Sequence, residues 1–176
     1  GGLVDFVRGA CEWHERPDPY LDPANAGNFD MSVIWGMTDE EFWERLEGIE
    51  FWRDLPWTKD GKRILVEVEH RFSRFDVCLL TAPTRDIMCV PGKQEWVRRN
   101  LPGYSSRFIP TAAKHFLAHE NALLIDDKDS NVEGFREQGG KAILVPRPWN
   151  SAWRKVGAWE GNIRRLLEDP ALWFKA

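Results

Sequence analysis

The stretch ALLIDDKDSN, residues 122–131, decides the fold that this sequence predicts. Four apolar residues bounded by charge are too few for a helix and indicate a buried parallel strand, which ends in the adjacent carboxylates Asp126 and Asp127. Ligands of open α/β sheets bind at the carboxyl ends of the strands. Neighbouring carboxylates repel each other unless they share a proton or a cation. The pair therefore predicts a site for a hard divalent cation such as Mg²⁺.

A helix is predicted directly after this strand. Asp129 or Ser130 is expected to cap it, and residues 139–140, both glycine, are expected to end it. The apolar run at 142–145 then predicts a second strand. Together these segments predict one strand–helix–strand unit.

Two further short strands are predicted upstream, at 77–80 and 107–109. Between them, a helix with Trp96 and Val97 facing inward is expected to end before Pro102. A last amphipathic element carries Trp159, Ile163, Leu166 and Leu167 on one side. Short strands separated by helices are typical of the α/β class, with a parallel sheet covered by helices on both faces.

The amino-terminal third is punctuated by proline and glycine and lacks strand patterns. Thr38–Glu41 forms a capping-box pattern that opens a short helix. Residues 51–57 place four large apolar groups around a charged pair, which predicts a surface loop that closes on something. We interpret residues 15–73 as an inserted helical lobe. Helical spacing is found at 3–14, 42–46 and 61–72.

The composition of the 176 residues limits the class of partner. A net charge of −4 gives no general field for a long nucleic acid, so the expected partner is a small molecule. Three cysteines without metal spacing favour a reduced, cytoplasmic protein, and no apolar run is long enough to span a membrane. Ten tryptophans, several of them in the first third, make a homodimer through exposed rings possible.

Polar groups follow three of the predicted strands. Thr81 supplies a hydroxyl, Lys93 or Lys114 an ammonium, and Asp126 with Asp127 the carboxylates. A hydroxyl, an ammonium and metal-bound carboxylates together can neutralise or hydrogen-bond the oxygens of a phosphoryl group. These residues therefore predict a phosphate site at the strand ends.

The order of hydroxyl strand, lysine and late acidic pair resembles motifs two to four of the haloacid dehalogenase (HAD) superfamily. LTAP at 80–83 and LIDDK at 124–128 are similar to the 5'(3')-deoxyribonucleotidase branch, with its phage and bacterial relatives, and GGLVDF at 1–6 is similar to the end of that branch's first motif. The resemblance implies a Rossmann-like core, here residues 1–14 and 74–176. It also implies a small helical cap inserted after the first motif, here residues 15–73.

The same resemblance implies Mg²⁺-dependent hydrolysis of a phosphomonoester, most simply a (deoxy)nucleoside monophosphate. It makes Asp126 the metal ligand, and Asp127 a second ligand or an outer-shell partner. Thr81 and the backbone N–H of Ala82 would hold phosphate oxygens, and both Lys93 and Lys114 remain candidates for the phosphate-contacting lysine. The residues expected to contact the nucleobase are Phe6, Trp43, Phe51 and Trp52.

The nucleophile and the general acid of this family are the two aspartates of its first motif. Both would lie just before Gly1, so we expect about ten native residues, with the central strand of the sheet, to precede it. Asp5 belongs to the start of the following helix, where a capping role is favoured. The alternative is a catalytically inactive relative that binds a nucleotide or a protein partner through the same pocket.

Overall fold

The computed structural model describes residues 2–156 and 163–168, and its helices and short parallel strands confirm the mixed α/β class. None of the described helices is long and apolar enough to cross a membrane. The helices are α1 (Phe6–His14), α2 (Met31–Ile34), α3 (Asp39–Glu44), α4 (Ile49–Asp54), α5 (Gly61–Arg71), α6 (Cys89–Asn100), α7 (Asp129–Glu137) and α8 (Ile163–Leu167). The strands are β1 (Leu79–Thr81), β2 (Phe108–Pro110), β3 (Leu123–Asp126) and β4 (Lys141–Leu144).

The strands form two parallel pairs, and each pair is connected through a helix. β1 pairs with β2, with Thr81 opposite Pro110, and α6 links them. β3 pairs with β4, with Asp126 opposite Leu144, and α7 links them. Parallel neighbours need such a crossover. The carboxyl ends of the two strands in each pair therefore lie at one edge, as the sequence predicts.

The sequence predicts one parallel sheet, whereas the described residues form two sheets of two strands each. In this part of the chain, β1 and β3 are each hydrogen-bonded to a strand on one side only. The two sheets nevertheless adjoin, because Leu80 of β1 packs against the cluster that contains Leu124 and Ala142. β1 is half-buried along its whole length, which differs from the buried strand that was expected. The two sheets contact each other through side chains, but no ladder of backbone hydrogen bonds joins β1 to β3 in the described residues.

Two helix starts agree with their sequence signals. The Asp5 carboxylate accepts a hydrogen bond from the N–H of Arg8 at 3.0 Å, so its capping role is confirmed. Thr38 and Glu41 exchange both bonds of a capping box, and α3 begins directly after Thr38. Short polar side chains at these positions satisfy N–H groups that no helical carbonyl can reach.

Residues 2–5 precede α1 and are not helical, although the helical spacing begins at Leu3. The Leu3 carbonyl accepts a hydrogen bond from the N–H of Thr58 at 2.9 Å, and Val4 forms an antiparallel bridge with Trp57. Gly61 permits this approach, since a Cβ there would lie 2.6 Å from the Leu3 carbonyl oxygen. Backbone pairing with a distant segment therefore overrides the local helical pattern.

The prediction of a surface loop at residues 51–57 is wrong. Residues 49–54 form α4, and Phe51 and Trp52 are buried, with 1% and 2% of their surface exposed. The apolar groups of this segment face a helix packed against them rather than solvent, because α4 lies on α6. The high density of apolar residues in this segment reflects a buried helix and not a surface that closes on a ligand.

The predicted cap of α7 also needs correction. Asp129 is the first residue of the helix, Lys128 occupies the N-cap position, and no side chain caps the helix there. The Asp129 carboxylate instead accepts a hydrogen bond from the N–H of Ser151 at 3.2 Å. The preceding N–H, that of Lys128, is bound by Asp126, so the end of the strand organises the start of the helix. The glycine stop is confirmed, with Gly139 at φ 84° just past the helix end.

The largest hydrophobic cluster draws on both parts of the predicted division into cap and core. Phe42, Phe51 and Trp52, from 15–73, share it with Val7 and Trp96. The boundaries of a cap at 15–73 and a core at 1–14 and 74–176 therefore stay a prediction about domain organisation. The two segments share one buried hydrophobic cluster.

The last amphipathic element is confirmed in part. Ile163 and Leu167 of α8 are buried and pack with Ile64 and Val68 of α5. Trp159 and the side chain of Leu166 lie outside the described residues. The helix therefore covers one face of α5 through the apolar side that the sequence indicates.

Candidate active site

A buried ion pair forms the centre of the candidate site. Lys114, in the 3₁₀ turn after β2, places its Nζ 2.5 Å from Oδ2 of Asp126 at the end of β3. Lys114 is 9% exposed and Asp126 5%. The chain thus brings the lysine of one strand end to the carboxylate of the next, as the phosphate-site hypothesis requires. A buried charge without an opposite charge beside it is strongly destabilising, so Lys114 and Asp126 depend on each other.

The second oxygen of Asp126 organises the turn that follows the strand. Oδ1 accepts hydrogen bonds from the N–H of Lys128 at 2.9 Å and from Nδ2 of Asn131 at 3.1 Å. These bonds hold the carboxylate in a single orientation. Asn131 is not among the predicted site residues. Its position five residues after Asp126, on the first turn of α7, could have indicated this contact.

Asp127 lies beside Asp126 but has different partners. Its Oδ2 accepts a hydrogen bond from the indole N–H of Trp149 at 2.9 Å. Burial raises the pKa of Asp127, whereas the Trp149 hydrogen bond and the charges of Arg147 and Lys114 act in the opposite direction. A metal ligand must be ionised, and these three groups favour the ionised carboxylate.

Asn150 joins the ends of β3 and β4. Its side chain is fully buried, and its Nδ2 donates to the carbonyls of Asp127 at 2.9 Å and Val145 at 2.7 Å. Its Oδ1 accepts from the N–H of Arg147 at 3.2 Å. Sequence reasoning missed Trp149 and Asn150, because both follow Pro148 in a segment that looks like a plain loop. The usable signal was topological, since a loop after β4 must lie at the same edge as Asp127.

Arg147 extends this network to the first described residue. Its guanidinium binds both oxygens of Asp60 at 2.8 Å and donates to the carbonyl of Gly2 at 3.1 Å. Arg147 and Asp60 are 7% and 8% exposed. Gly2 is therefore tied, through Arg147 and Asn150, to the strand end that carries the acidic pair.

Lys93 approaches the site from the first turns of α6. Its Nζ donates to the carbonyl of Ala82 at 2.7 Å and lies 4.6 Å from the ring centroid of Trp52. Burial lowers the pKa of Lys93 below its ordinary value, an effect that Cys89 opposes and Lys114 reinforces.

The loop after β1 is fixed to the segment that we interpret as the cap. Asp86 accepts hydrogen bonds from the N–H of Gly48 at 3.1 Å and the indole N–H of Trp52 at 2.7 Å. Arg85 donates to the carbonyl of Glu40 at 3.0 Å. Thr81 ends β1 and is half-buried, while Ala82, which follows it, is exposed. Both predicted phosphate-binding groups thus stand at the start of a well-anchored loop.

The four aromatic residues predicted to contact a nucleobase lie together as one packed group. The ring of Trp52 is nearly parallel to those of Phe6 and Trp43, at 6.0 and 6.4 Å between centroids, and meets that of Phe51 edge-on at 4.7 Å. Phe6 and Trp43 are half-buried, whereas Phe51 and Trp52 are enclosed. Contact of this group with a ligand stays a prediction.

An aromatic residue outside the prediction lies at the rim of the site. Phe29 is 53% exposed, and the ammonium of Lys128 lies 4.9 Å from its ring centroid. Its segment is anchored by a hydrogen bond from the N–H of Gly27 to the carbonyl of Pro148 at 2.7 Å. An exposed ring held beside the residue after Asp127 can offer a flat face to a ligand. Nothing in the local sequence distinguishes it from the buried aromatics nearby.

The donor set at the end of β3 fits a hard cation. Among residues 2–156 and 163–168, no group of three or more His, Cys, Asp or Glu side chains is placed to hold a metal. Mg²⁺, however, is bound in proteins through one or two carboxylates, and water and substrate phosphate complete its octahedron. Asp126 and Asp127 supply two carboxylates in adjacent positions.

No protein-family model and no curated protein matches the chain.

Proposed function

We propose that this chain belongs to a Mg²⁺-dependent phosphomonoester hydrolase of the haloacid dehalogenase type, with a (deoxy)nucleoside monophosphate as the substrate class. The observation that carries this proposal is the buried contact between Lys114 and Asp126 at 2.5 Å, beside Asp127. Lys114 and Asp126 come from different segments of the chain, and the motif order of the family predicts that they meet. Their side chains are in contact where β2 and β3 end. A phosphoryl group bound there would meet cationic and metal-binding groups together.

The division of the sheet supports the same proposal. β1 and β3 do not pair in the described residues, although Leu80 of β1 packs against the cluster that contains Leu124 of β3. One further parallel strand between them would complete a five-stranded Rossmann-like sheet, with Thr81 on one side of it and Asp126 on the other. The Gly2 carbonyl accepts a hydrogen bond from Arg147, in the loop that follows β4. In the family that the chain resembles, such a strand bears the Asp-x-Asp of the first motif.

The roles of the chain's own residues follow from their positions. Asp126 and Asp127 would hold Mg²⁺, which supplies charge neutralisation to the bound phosphate. The Thr81 hydroxyl and the Ala82 N–H would donate to phosphate oxygens, and Lys93 and Lys114 would neutralise them. The first upstream aspartate would attack phosphorus to give an aspartyl-phosphate, and the second would protonate the leaving oxygen and then activate water.

Phosphate release by the full-length gene product tests this function. Thymidine, uridine and guanosine monophosphates are incubated with Mg²⁺, and inorganic phosphate is measured. We expect turnover that Asp126→Asn lowers at least about a hundredfold, since a metal ligand contributes several kcal/mol to transition-state stabilisation. Asp129→Asn is the matched control, because that carboxylate binds Ser151 and not the site.

The outcomes separate the two candidate functions. Turnover that survives Asp126→Asn removes Asp126 from the metal site. Absence of turnover in the wild type, with nucleotide binding retained, favours the inactive relative that binds a nucleotide or partner. Circular dichroism of Asp126→Asn is recorded alongside, because that substitution leaves the buried Lys114 without its carboxylate partner.

A further inference from the structure

The ammonium of Lys93 lies over the ring of Trp52. The distance from Nζ to the ring centroid is 4.6 Å, and the same Nζ donates to the Ala82 carbonyl at 2.7 Å. A ring face attracts a cation through its quadrupole, most strongly when the cation is shielded from water, and tryptophan is the strongest partner. Two contacts of known direction thus fix the end of a side chain that is otherwise flexible.

A glycine makes this contact possible. Gly92 precedes Lys93 on α6, and a Cβ at Gly92 would lie 2.6 Å from Cβ of Trp52 and 2.8 Å from the carbonyl oxygen of Ile49. Both distances are too short for any real side chain. Glycine therefore allows α4 to approach α6 closely enough for the Trp52 ring to reach the ammonium of the next residue.

The orientation of the Trp52 ring is fixed in turn by Asp86. The indole N–H donates to Oδ2 of Asp86 at 2.7 Å, and Oδ1 of Asp86 accepts from the N–H of Met88 at 2.9 Å. Asp86 lies in the loop that begins at Ala82, so that one loop binds both the tryptophan and the lysine. The indole cannot rotate without losing this charged acceptor.

We propose that Trp52 is a positioning residue that seats the Lys93 ammonium beside the phosphate site, and that Asp86 orients Trp52 for this role. This inference rests on the proposed function and gives Trp52 a role other than the predicted contact with a nucleobase. Trp52 has 2% of its surface exposed, and its contact with Lys93 is already made. The seat directs the ammonium to the loop that follows Thr81.

The seat itself is tested by nuclear magnetic resonance of the full chain without substrate. Protons held over an aromatic face are shifted upfield by the ring current, so the ε-methylene protons of Lys93 are expected upfield of those of other lysines. Trp52→Leu is expected to abolish this shift and Trp52→Phe to retain part of it. Trp57→Leu is the matched control, since the exposed Lys62 lies over that ring at 5.6 Å, and it should leave Lys93 unchanged.

The consequence for phosphate is tested by a double-mutant cycle. Binding of inorganic phosphate in the presence of Mg²⁺ is measured by calorimetry for wild type, Trp52→Phe, Lys93→Met and the double variant. We expect Trp52→Phe to weaken binding about three- to tenfold, and to have no further effect once Lys93 is methionine. A role of Trp52 in packing alone would weaken binding equally in both backgrounds.

Each result decides one part of the inference. An ordinary chemical shift for Lys93 in the wild type overturns the seat. An upfield shift with equal effects of Trp52→Phe in both backgrounds overturns its role in phosphate binding. Absence of phosphate binding by the wild type overturns the proposed function, and the seat is then judged by the resonance alone. Trp52→Phe retains an aromatic ring, so the double-mutant cycle does not depend on the larger cavity that Trp52→Leu would leave.

Discussion

Lys93 on α6 and Lys114 in the turn after β2 are the two candidate phosphate-binding lysines, yet their ammonium groups have different kinds of partner. Lys114 is buried against the Asp126 carboxylate, whereas Lys93 binds a backbone carbonyl and the face of Trp52. The first arrangement is a full charge pair. In the second, the cation lies against a neutral carbonyl and a neutral ring, and burial lowers the pKa of Lys93.

This difference assigns the two lysines different tasks within the proposed site. A lysine paired with a metal-ligating carboxylate holds that carboxylate in place and offsets its charge before substrate binds. A lysine with neutral partners retains most of its attraction for an incoming anion. We therefore expect Lys114 to matter first for stability and Lys93 first for phosphate affinity, which divides between them a role that the sequence left open.

The largest effect is expected from breaking the ion pair. Lys114→Met leaves Asp126 as an unpaired buried charge and should lower the free energy of unfolding by about 3–5 kcal/mol. Lys93→Met removes one hydrogen bond and a ring contact and should cost about 1 kcal/mol. Denaturation with urea compares the two. Equal losses would mean that the two lysines are held alike.

An intermediate effect is expected from moving α4 away from α6. Gly92→Ala places a methyl group against Trp52 and Ile49, and overpacking of this kind costs about 1–3 kcal/mol. Gly134→Ala on α7 is the control, because its methyl group would meet only Cβ of His115, at 3.9 Å. That control should be neutral or stabilising by up to about 1 kcal/mol, as alanine favours helix.

If Gly92→Ala does not lower the stability, α4 and α6 are not in close contact at this glycine. Thermal unfolding of both variants decides this point. The chemical shift of the Lys93 ε-methylene protons is a second measurement, because Gly92→Ala should change that shift while leaving the Lys114–Asp126 pair intact.

The smallest effect concerns pH and the carboxylate that orients Trp52. Burial opposes the ionisation of Asp86, but hydrogen bonds from Met88, Trp52 and Gly48 outweigh it and lower its pKa. A carboxyl group with a lowered pKa in the folded state stabilises it above the unfolded pKa, about 3.9. That stability is lost as the pH falls through the folded value.

Asp86→Asn should therefore cost about 1 kcal/mol at pH 7, since the group is half-buried and partly screened by solvent. The difference between wild type and variant should shrink as the pH falls below about 4. Urea denaturation at pH 7, 5 and 3 measures it. A difference that stays constant with pH would assign the cost to lost packing rather than to the charge.

Features set by neighbouring residues were predicted well. The capping box at Thr38, the cap at Asp5 and the glycine stop after α7 each depend on atoms within a few residues, and all three agree with the structure. The short strands were found within one or two residues for the same reason, because β-branched and leucine-rich runs bounded by charge have few other solutions. The acidic pair was located at a strand end on this basis.

Features set by distant residues were predicted poorly. Residues 51–57 were expected at the surface, since their apolar density does not reveal that α6 covers them. Trp149 and Asn150 were missed because their partners lie more than twenty residues earlier, at Asp127. Pairing across such separations depends on chain topology, and local pattern carries no information about it.

The sequence by itself determined the mixed α/β class, the strand–helix–strand unit and the presence of two carboxylates at the end of β3, because short-range sterics, capping and periodicity act within a few residues. Only the tertiary structure decided that Lys114 pairs with Asp126 and that Lys93 lies over Trp52. Those choices depend on how closely α4, α6 and the two sheets pack. The energies involved arise from desolvated charges and ring faces, which exist only once the chain has folded.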